Sequence, residues 1–235
     1  GIRVAHVEAG LRSFDRTMPE EINRVLTDHV SDLLFTTEKS GNDNLIHEGI
    51  SSEKICFVGN CMIDSLLKHV GKAVEAEPWK PLGLEAKKYA LLTLHRPANV
   101  DERSALDAWL AIFEGVCDRL PVLFPAHPRT QARIRSWGIA PDKLRVCDPV
   151  GYLEFTGLMH EAAFVLTDSG GIQEETTALQ VPCLTVRQNT ERPCTIEVGT
   201  NVLVGADREK ILGHVDTILK GKWKTGHMPA LWDGH

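Results

Sequence analysis

No apolar run in this 235-residue chain approaches the roughly 20 residues that cross a bilayer, so no membrane span is expected. Basic residues are outnumbered, 26 lysines and arginines against 32 aspartates and glutamates. The resulting net charge of −6 argues against a nucleic-acid binder, which normally presents a basic face. Six cysteines, at 56, 61, 117, 147, 183 and 194, form no Cys-x-x-Cys pair. Most fall in apolar strand-like or helical stretches, which points to reduced core thiols in an intracellular, cytoplasmic protein. There is no His-x-x-x-His, no acidic triplet and no thiolate pair, so no metal is expected. The Gly-x-x-x-x-Gly-Lys of a P-loop and the Gly-x-Gly-x-x-Gly of a dinucleotide fold are missing as well.

What is present is alternation. Apolar strand-like runs at 2–7, 32–37, 55–58, 88–94, 121–125, 143–147, 163–167, 183–186 and 201–204 are separated by helix-period segments. Those segments lie at about 18–30, 38–48, 61–73, 102–118, 128–137, 151–161, 171–179, 191–198 and 207–219. The pattern predicts an α/β fold with parallel sheets flanked by helices. The helix from 18 carries Thr17-x-x-Glu20 as a capping box, Pro19 in its first turn, and an apolar stripe of Ile22, Val25, Leu26 and Val30. The segment 74–87, with Glu-Pro-Trp-Lys-Pro, reads as the most linker-like, although the boundary could fall as early as Gly59-Asn60. A core strand starting at residue 2, after Gly1, leads us to expect earlier structure in a longer protein.

The run Leu166-Thr167-Asp168-Ser169-Gly170-Gly171-Ile172-Gln173-Glu174-Glu175 is the most informative segment. A strand passes through two glycines into a helix, so free N–H groups and the positive helix end face a ligand with no Cβ in the way, as a phosphate requires. Glu174 or Glu175 then lies one turn on, placed to accept from sugar hydroxyls. Four further polar clusters also follow strands or open a helix: 6–13 with Glu8 and Arg12, 18–24 with Glu20, 93–96 with His95 and Arg96, and 124–129 with His127. Asn189 to Pro193, with Arg192, comes after the glycine turn. Each has a plainer reading as a capping carboxylate, a structural histidine or a surface ion pair. Their joint placement at strand ends favours proton transfer on a diphosphate-linked substrate.

His-Val-Glu-Ala-Gly-Leu-Arg-Ser at 6–13, Met-Pro-Glu-Glu-Ile-Asn-Arg at 18–24 and Val-Gly-Asn at 58–60 resemble the non-hydrolysing UDP-N-acetylglucosamine 2-epimerases. So do Leu-His-Arg at 94–96, Thr-Asp-Ser-Gly-Gly-Ile-Gln-Glu-Glu at 167–175 and Thr-Glu-Arg-Pro at 190–193. The resemblance implies two Rossmann-like domains of glycosyltransferase-B type. Residues 1–62 would be the remnant of the N-terminal domain, and 63–235 the C-terminal UDP-binding domain. It implies interconversion of UDP-GlcNAc and UDP-ManNAc without NAD, metal or other cofactor, through UDP elimination to 2-acetamidoglucal and re-addition. It further implies a role in cell-surface polysaccharide precursor synthesis, and a homodimer of the longer protein. By position, Glu8 and Glu20 match the catalytic carboxylates and His95 the catalytic histidine near the diphosphate. Ser169, Gly170 and Gly171 match the phosphate-cradling turn, Glu175 the ribose-binding carboxylate, Phe155 the residue beside the uracil, and Arg192 an arginine near the phosphates. Arg12, Arg96 and His127 complete the expected substrate contacts.

Two departures from the family pattern stand out. An N-terminal Arg/Lys contact and a Gly-Asp motif are not in this sequence, and Ala230 to His235 resembles the start of a final return helix, so a fragment without activity of its own is expected. At Ala98 bacterial members often carry a glutamate linked to allosteric binding of a second UDP-GlcNAc. Other readings remain open at this stage: a UDP-sugar glycosyltransferase of the same architecture, a 2-epimerase of a diacetamido-uronic acid UDP-sugar, or a UDP-binding module.

Overall fold

The computed structural model describes residues 1–234. Two parallel sheets run through it. Strands β1 (Ala5–Ala9), β2 (Leu33–Thr36) and β3 (Ile55–Phe57) form the first, in chain order. Helices α1 (Pro19–Val30) and α2 (Lys39–His47) connect them, with a 3-10 turn at Ser52–Lys54. The second sheet holds β4 (Ala90–Thr93), β5 (Val122–Pro125), β6 (Arg145–Cys147), β7 (Phe164–Thr167), β8 (Cys183–Thr185) and β9 (Asn201–Leu203), in the order β6-β5-β4-β7-β8-β9. Its helices are α3 (Cys61–Glu75), α4 (Pro97–Val100), α5 (Arg103–Cys117), α6 (Pro128–Ser136), α7 (Tyr152–His160), α8 (Gly170–Ala178), α9 (Pro193–Glu197) and α10 (Arg208–Leu219). All nine expected strands form; the first is shifted, starting three residues later and ending two residues beyond its expected end, and the others are shortened. The short α4 and the 3-10 turn were not expected, being too brief to leave a periodic signature.

Strand alternation sorts the second core onto two faces. Ala90 and Leu92 of β4 and Phe164 and Leu166 of β7 pack with Trp109, Phe113 and Val116 of α5 and with Ile211 and Val215 of α10. Leu91 and Val165, one residue out of phase, meet Ile63 and Leu66 of α3 and Leu158 and Met159 of α7. Burying such a side chain contributes about 1.5–3 kcal/mol. Beneath the first sheet the buried cluster consists of Ala9, Leu34 and Leu45 among the described residues, so its core is small.

Several sequence expectations are corrected here. The capping box does not form: Met18 is the N-cap, and Thr17 hydrogen-bonds Asp15 instead. The α1 stripe is not a core stripe, since Leu26 and Val30 are 60% and 70% exposed. Among the described residues the first sheet carries no further strand for α1 to pack against. The segment 74–87 is no solvated linker, because Trp79 and Leu84 are buried in the second core. Of the cysteines only Cys183 is fully buried, and all six are free thiols.

The chain passes from the first sheet to the second at Val58–Asn60. Gly59 has φ +80° and lies against the Leu231 carbonyl, so a Cβ there would collide with backbone. The C-terminal segment returns to this crossing, where Trp232 is fully buried and its indole N–H donates to the Thr37 carbonyl at 2.9 Å. Among the described residues no helix is long and apolar enough to cross a membrane.

Candidate active site

The strand order dictates where a ligand goes. From β4 the chain builds outward through β5 and β6, then returns to add β7, β8 and β9 on the other side. The topological switch lies between β4 and β7, and ligands of open α/β sheets sit beyond the carboxyl ends of such a strand pair. In register, Thr93 faces Thr167, and their hydroxyls meet at 2.6 Å. His95-Arg96 and Asp168-Ser169-Gly170 are therefore the residues that emerge at the crevice.

Here α8 begins one residue earlier than expected. Ser169 is its N-cap, and Gly170 and Gly171 form its first turn rather than the loop before it. The orphan N–H groups of that turn still point out of the sheet. Gly170 has a further reason to be glycine: a Cβ there would come within 2.5 Å of Arg192 Nη1 and 2.6 Å of Glu191 Oε1. Lining the cleft above the turn are His6, Glu8, Glu20, Arg24, Arg96, Glu191 and Arg192, around a volume of about 360 Å³. Glu8 reaches it through a bulge between Val7 and Ala9 and a backbone φ of +72°, unusual for a non-glycine residue. Glu20 comes from the first turn of α1 and is exposed.

Arg192 joins the two sheets. Its guanidinium is 2.7 Å from Glu8, 2.8 Å from Glu174 and 2.6 Å from Glu191. Burial disfavours this cation, but the three carboxylates raise its pKa regardless. Burial likewise works against ionised Glu191, yet Arg192, Arg187 and Arg24 bring it down to about 2. Glu174 behaves oppositely. Burial, with Glu8 and Glu38 adding repulsion, pushes it up to about 7 against the pull of Arg192. Its other oxygen accepts from the Asn60 amide at 3.0 Å, at the crossing between the sheets.

The expected residues do not all fall in one pocket. Glu8, Glu20, Arg96, Gly170, Gly171 and Arg192 share the cleft. His95, His127 and Phe155 line an adjoining recess of about 180 Å³ at the ends of β4 and β5. Glu175 lies deeper, with Tyr152 as its hydrogen-bonding neighbour, and burial pushes it up to about 7. Ser169 holds the turn by donating its backbone N–H to the Thr167 hydroxyl at 2.9 Å. Arg12 is not brought to the cleft. It is buried in ion pairs with Asp28 and Glu48, each at 2.7 Å, and braces the first sheet.

Four groups escaped the sequence reading: Asp168, Glu191, Arg187 and Arg24. Asp168 was legible in principle, as an acid placed directly after the strand Phe164–Thr167. Arg187 and Glu191 occupy a loop, where spacing gives no orientation. Arg187 lines a larger neighbouring cleft of about 580 Å³ together with Met18, Trp109 and Val186.

Parallel sheets flanked by helices, with polar groups gathered at the strand ends between them, define a glycosyltransferase-B-type α/β protein. The chain belongs to the UDP-N-acetylglucosamine 2-epimerase family, whose model matches residues 1–235. A Methanococcus maripaludis UDP-N-acetylglucosamine 2-epimerase is 45% identical over 231 residues, covering 94% of this chain and 63% of that protein. A Pseudomonas aeruginosa UDP-2,3-diacetamido-2,3-dideoxy-D-glucuronate 2-epimerase is 43% identical, covering 93% of this chain and 61% of the other. The solved Methanocaldococcus jannaschii UDP-GlcNAc 2-epimerase, in complex with UDP-GlcNAc and UDP, superposes with a TM-score of 0.89 at 43% identity. That match covers 99% of this chain and 67% of the other. The chain thus spans about 63% of the length of the Methanococcus relative.

Proposed function

We propose that this chain supplies the UDP-sugar site and acid/base groups of a C2 epimerase that interconverts UDP-GlcNAc and UDP-ManNAc. The observation that carries the reading is the meeting of Glu8 and Glu20 over the Gly170–Gly171 helix start, in one cleft with Arg24, Arg96 and Arg192. A helix N-terminus and guanidiniums suit a departing diphosphate, and carboxylates suit removal and return of the C2 proton. Elimination of UDP leaves 2-acetamidoglucal. Re-addition of UDP, with protonation of C2 from the opposite face, completes the inversion. Ser169 and the glycine turn hold the phosphates, Glu175 the ribose, and Phe155 the uracil. The product would feed polysaccharide precursor synthesis, in a homodimer of the longer protein.

A protein of the relatives' length that carries this chain, incubated with UDP-GlcNAc alone in deuterated water, is expected to form UDP-ManNAc with deuterium at C2. Formation of neither epimer nor C2 label would sink the reading and leave a transferase or a binding module. The Pseudomonas relative favours a second substrate, a UDP-diacetamido-uronic acid. Comparing kcat/KM for the two sugars decides between them.

A further inference from the structure

We propose that Asp168 is the positioning residue for His95, fixing the imidazole as the Nδ1–H tautomer so that Nε2 is the nitrogen offered to substrate. The inference rests on the epimerase reading for its chemical purpose, but its geometry stands independently. Asp168 is fully buried at the end of β7 and touches no open cleft. Its carboxylate accepts from the backbone N–H of His95 at 3.1 Å, the backbone N–H of Arg96 at 2.8 Å and the Asn99 amide at 2.9 Å. His95 Nδ1 lies 2.9 Å from the same carboxylate.

Every partner of this carboxylate is a donor. Burial works to raise the carboxyl, yet the His95, Arg96 and Asn99 hydrogen bonds hold it below the usual range, so it is ionised and acceptor-only. Nδ1 must then carry the proton that faces Asp168, and the hydrogen bond on one ring nitrogen sets the state of the other. Nε2 is left with its lone pair, on a ring that is about half exposed and lines the recess shared with His127 and Phe155. The Asn99 amide has no freedom to turn: its carbonyl oxygen accepts from the Trp109 indole at 3.1 Å, which leaves its NH₂ to donate to Asp168. One carboxylate therefore clamps both the backbone and the ring of His95, and the β4–β7 register places the two residues at neighbouring strand ends. A proton taken up at Nε2 from solvent would create an imidazolium facing a fixed negative charge, placed to give that proton to the departing diphosphate without moving the ring.

The test is a ring ¹⁵N measurement on histidine-labelled chain, with His95 assigned by loss of its signals in His95→Asn. The unmutated protein is expected to show His95 as the Nδ1–H tautomer, and Asp168→Asn to shift the population toward Nε2–H. In a protein of the relatives' length, Asp168→Asn is expected to lower kcat at least about tenfold with KM within about threefold. In a His95→Asn background the same change should cost less than about twofold, because the two residues act as one unit. An Nε2–H ring in the unmutated chain overturns the proposal, as does an equal loss from Asp168→Asn with and without His95. If Asp168→Asn does not fold, the ring signature of the unmutated chain decides alone. An Nδ1–H ring in a protein that epimerises no UDP-sugar supports the pairing and overturns the epimerase reading instead.

Discussion

On the second-sheet side of the cleft, Asp168, Glu174 and Glu191 are buried, and each is held by several donors or cations. On the first-sheet side, Glu20 is exposed and Glu8 is partly open, held across the cleft by its ion pair with Arg192. The difference follows from core size. Among the described residues the six-stranded sheet is covered on both faces by large buried clusters, whereas the three strands of the first sheet share one small cluster. The proposed phosphate and nucleoside contacts thus fall on the side with the larger core, and the proposed proton-transfer carboxylates on the side that depends on a partner across the cleft.

The strongest test of this contrast is in the two cores. Phe113→Ala, at a fully buried position between α5 and the second sheet, is expected to cost about 3–5 kcal/mol, read as a large drop in the urea midpoint. Leu34→Ala in the first sheet should cost nearer the low end of the range for buried leucines, about 2 kcal/mol. Equal losses would show that the two sheets share one cooperative core.

The carboxylates come next. In a protein of the relatives' length, Glu8→Gln and Glu20→Gln are each expected to lower turnover by at least about 10²-fold with UDP affinity within a few-fold. Only Glu8→Gln should also lower Tm, because it alone breaks an ion pair with Arg192. Retained C2 deuterium exchange in either variant would mark that residue as structural.

Gly170→Val probes the second-sheet side directly. The new side chain meets Arg192 and Glu191 as well as the phosphate position, so UDP affinity should fall more than about tenfold, about 1.4 kcal/mol or more. Calorimetry that gives unchanged affinity in a folded variant would remove the glycine turn from the binding site.

A pH titration of stability separates the sides more gently. Glu175 sits at about 7 in the folded chain, against about 4.3 for an ordinary glutamate. Between those values the folded state binds more protons than the unfolded one, so stability falls as pH rises through that window. Tm is therefore expected to be higher at pH 5 than at pH 8, and Glu175→Gln should flatten part of that slope. Glu191, held at about 2, contributes with the opposite sign, and its share is lost only as pH falls below the ordinary glutamate value. A wild-type Tm that rises from pH 5 to pH 8 would contradict the buried, protonatable state of Glu175. Smallest of all, Leu26→Ser on the exposed face of α1 should change stability by less than about 0.5 kcal/mol. A large loss would mean that this face is covered in solution.

The sequence by itself determined the strands and the long helices, because alternation and 3.6-residue periodicity are local consequences of backbone geometry. It also determined the family, through motifs that each lie within ten consecutive residues. It misjudged what local pattern cannot encode. The Thr17 capping box lost to an Asp15 turn, and a Pro-containing segment was taken for a linker although Trp79 and Leu84 are buried in the second core. Arg12 looked like its fellow arginines until Asp28 and Glu48 were found around it. Tertiary structure alone decided the charge network. Arg192 meets Glu8 across 184 residues, Asn60 meets Glu174 across 114, and His95 meets Asp168 across 73. Whether an acid ends near 2, like Glu191, or near 7, like Glu174, depends on how much water is excluded and which charges replace it. Those quantities exist only once the chain has folded, since burial and long-range pairing belong to the assembled sheets and to no stretch of sequence.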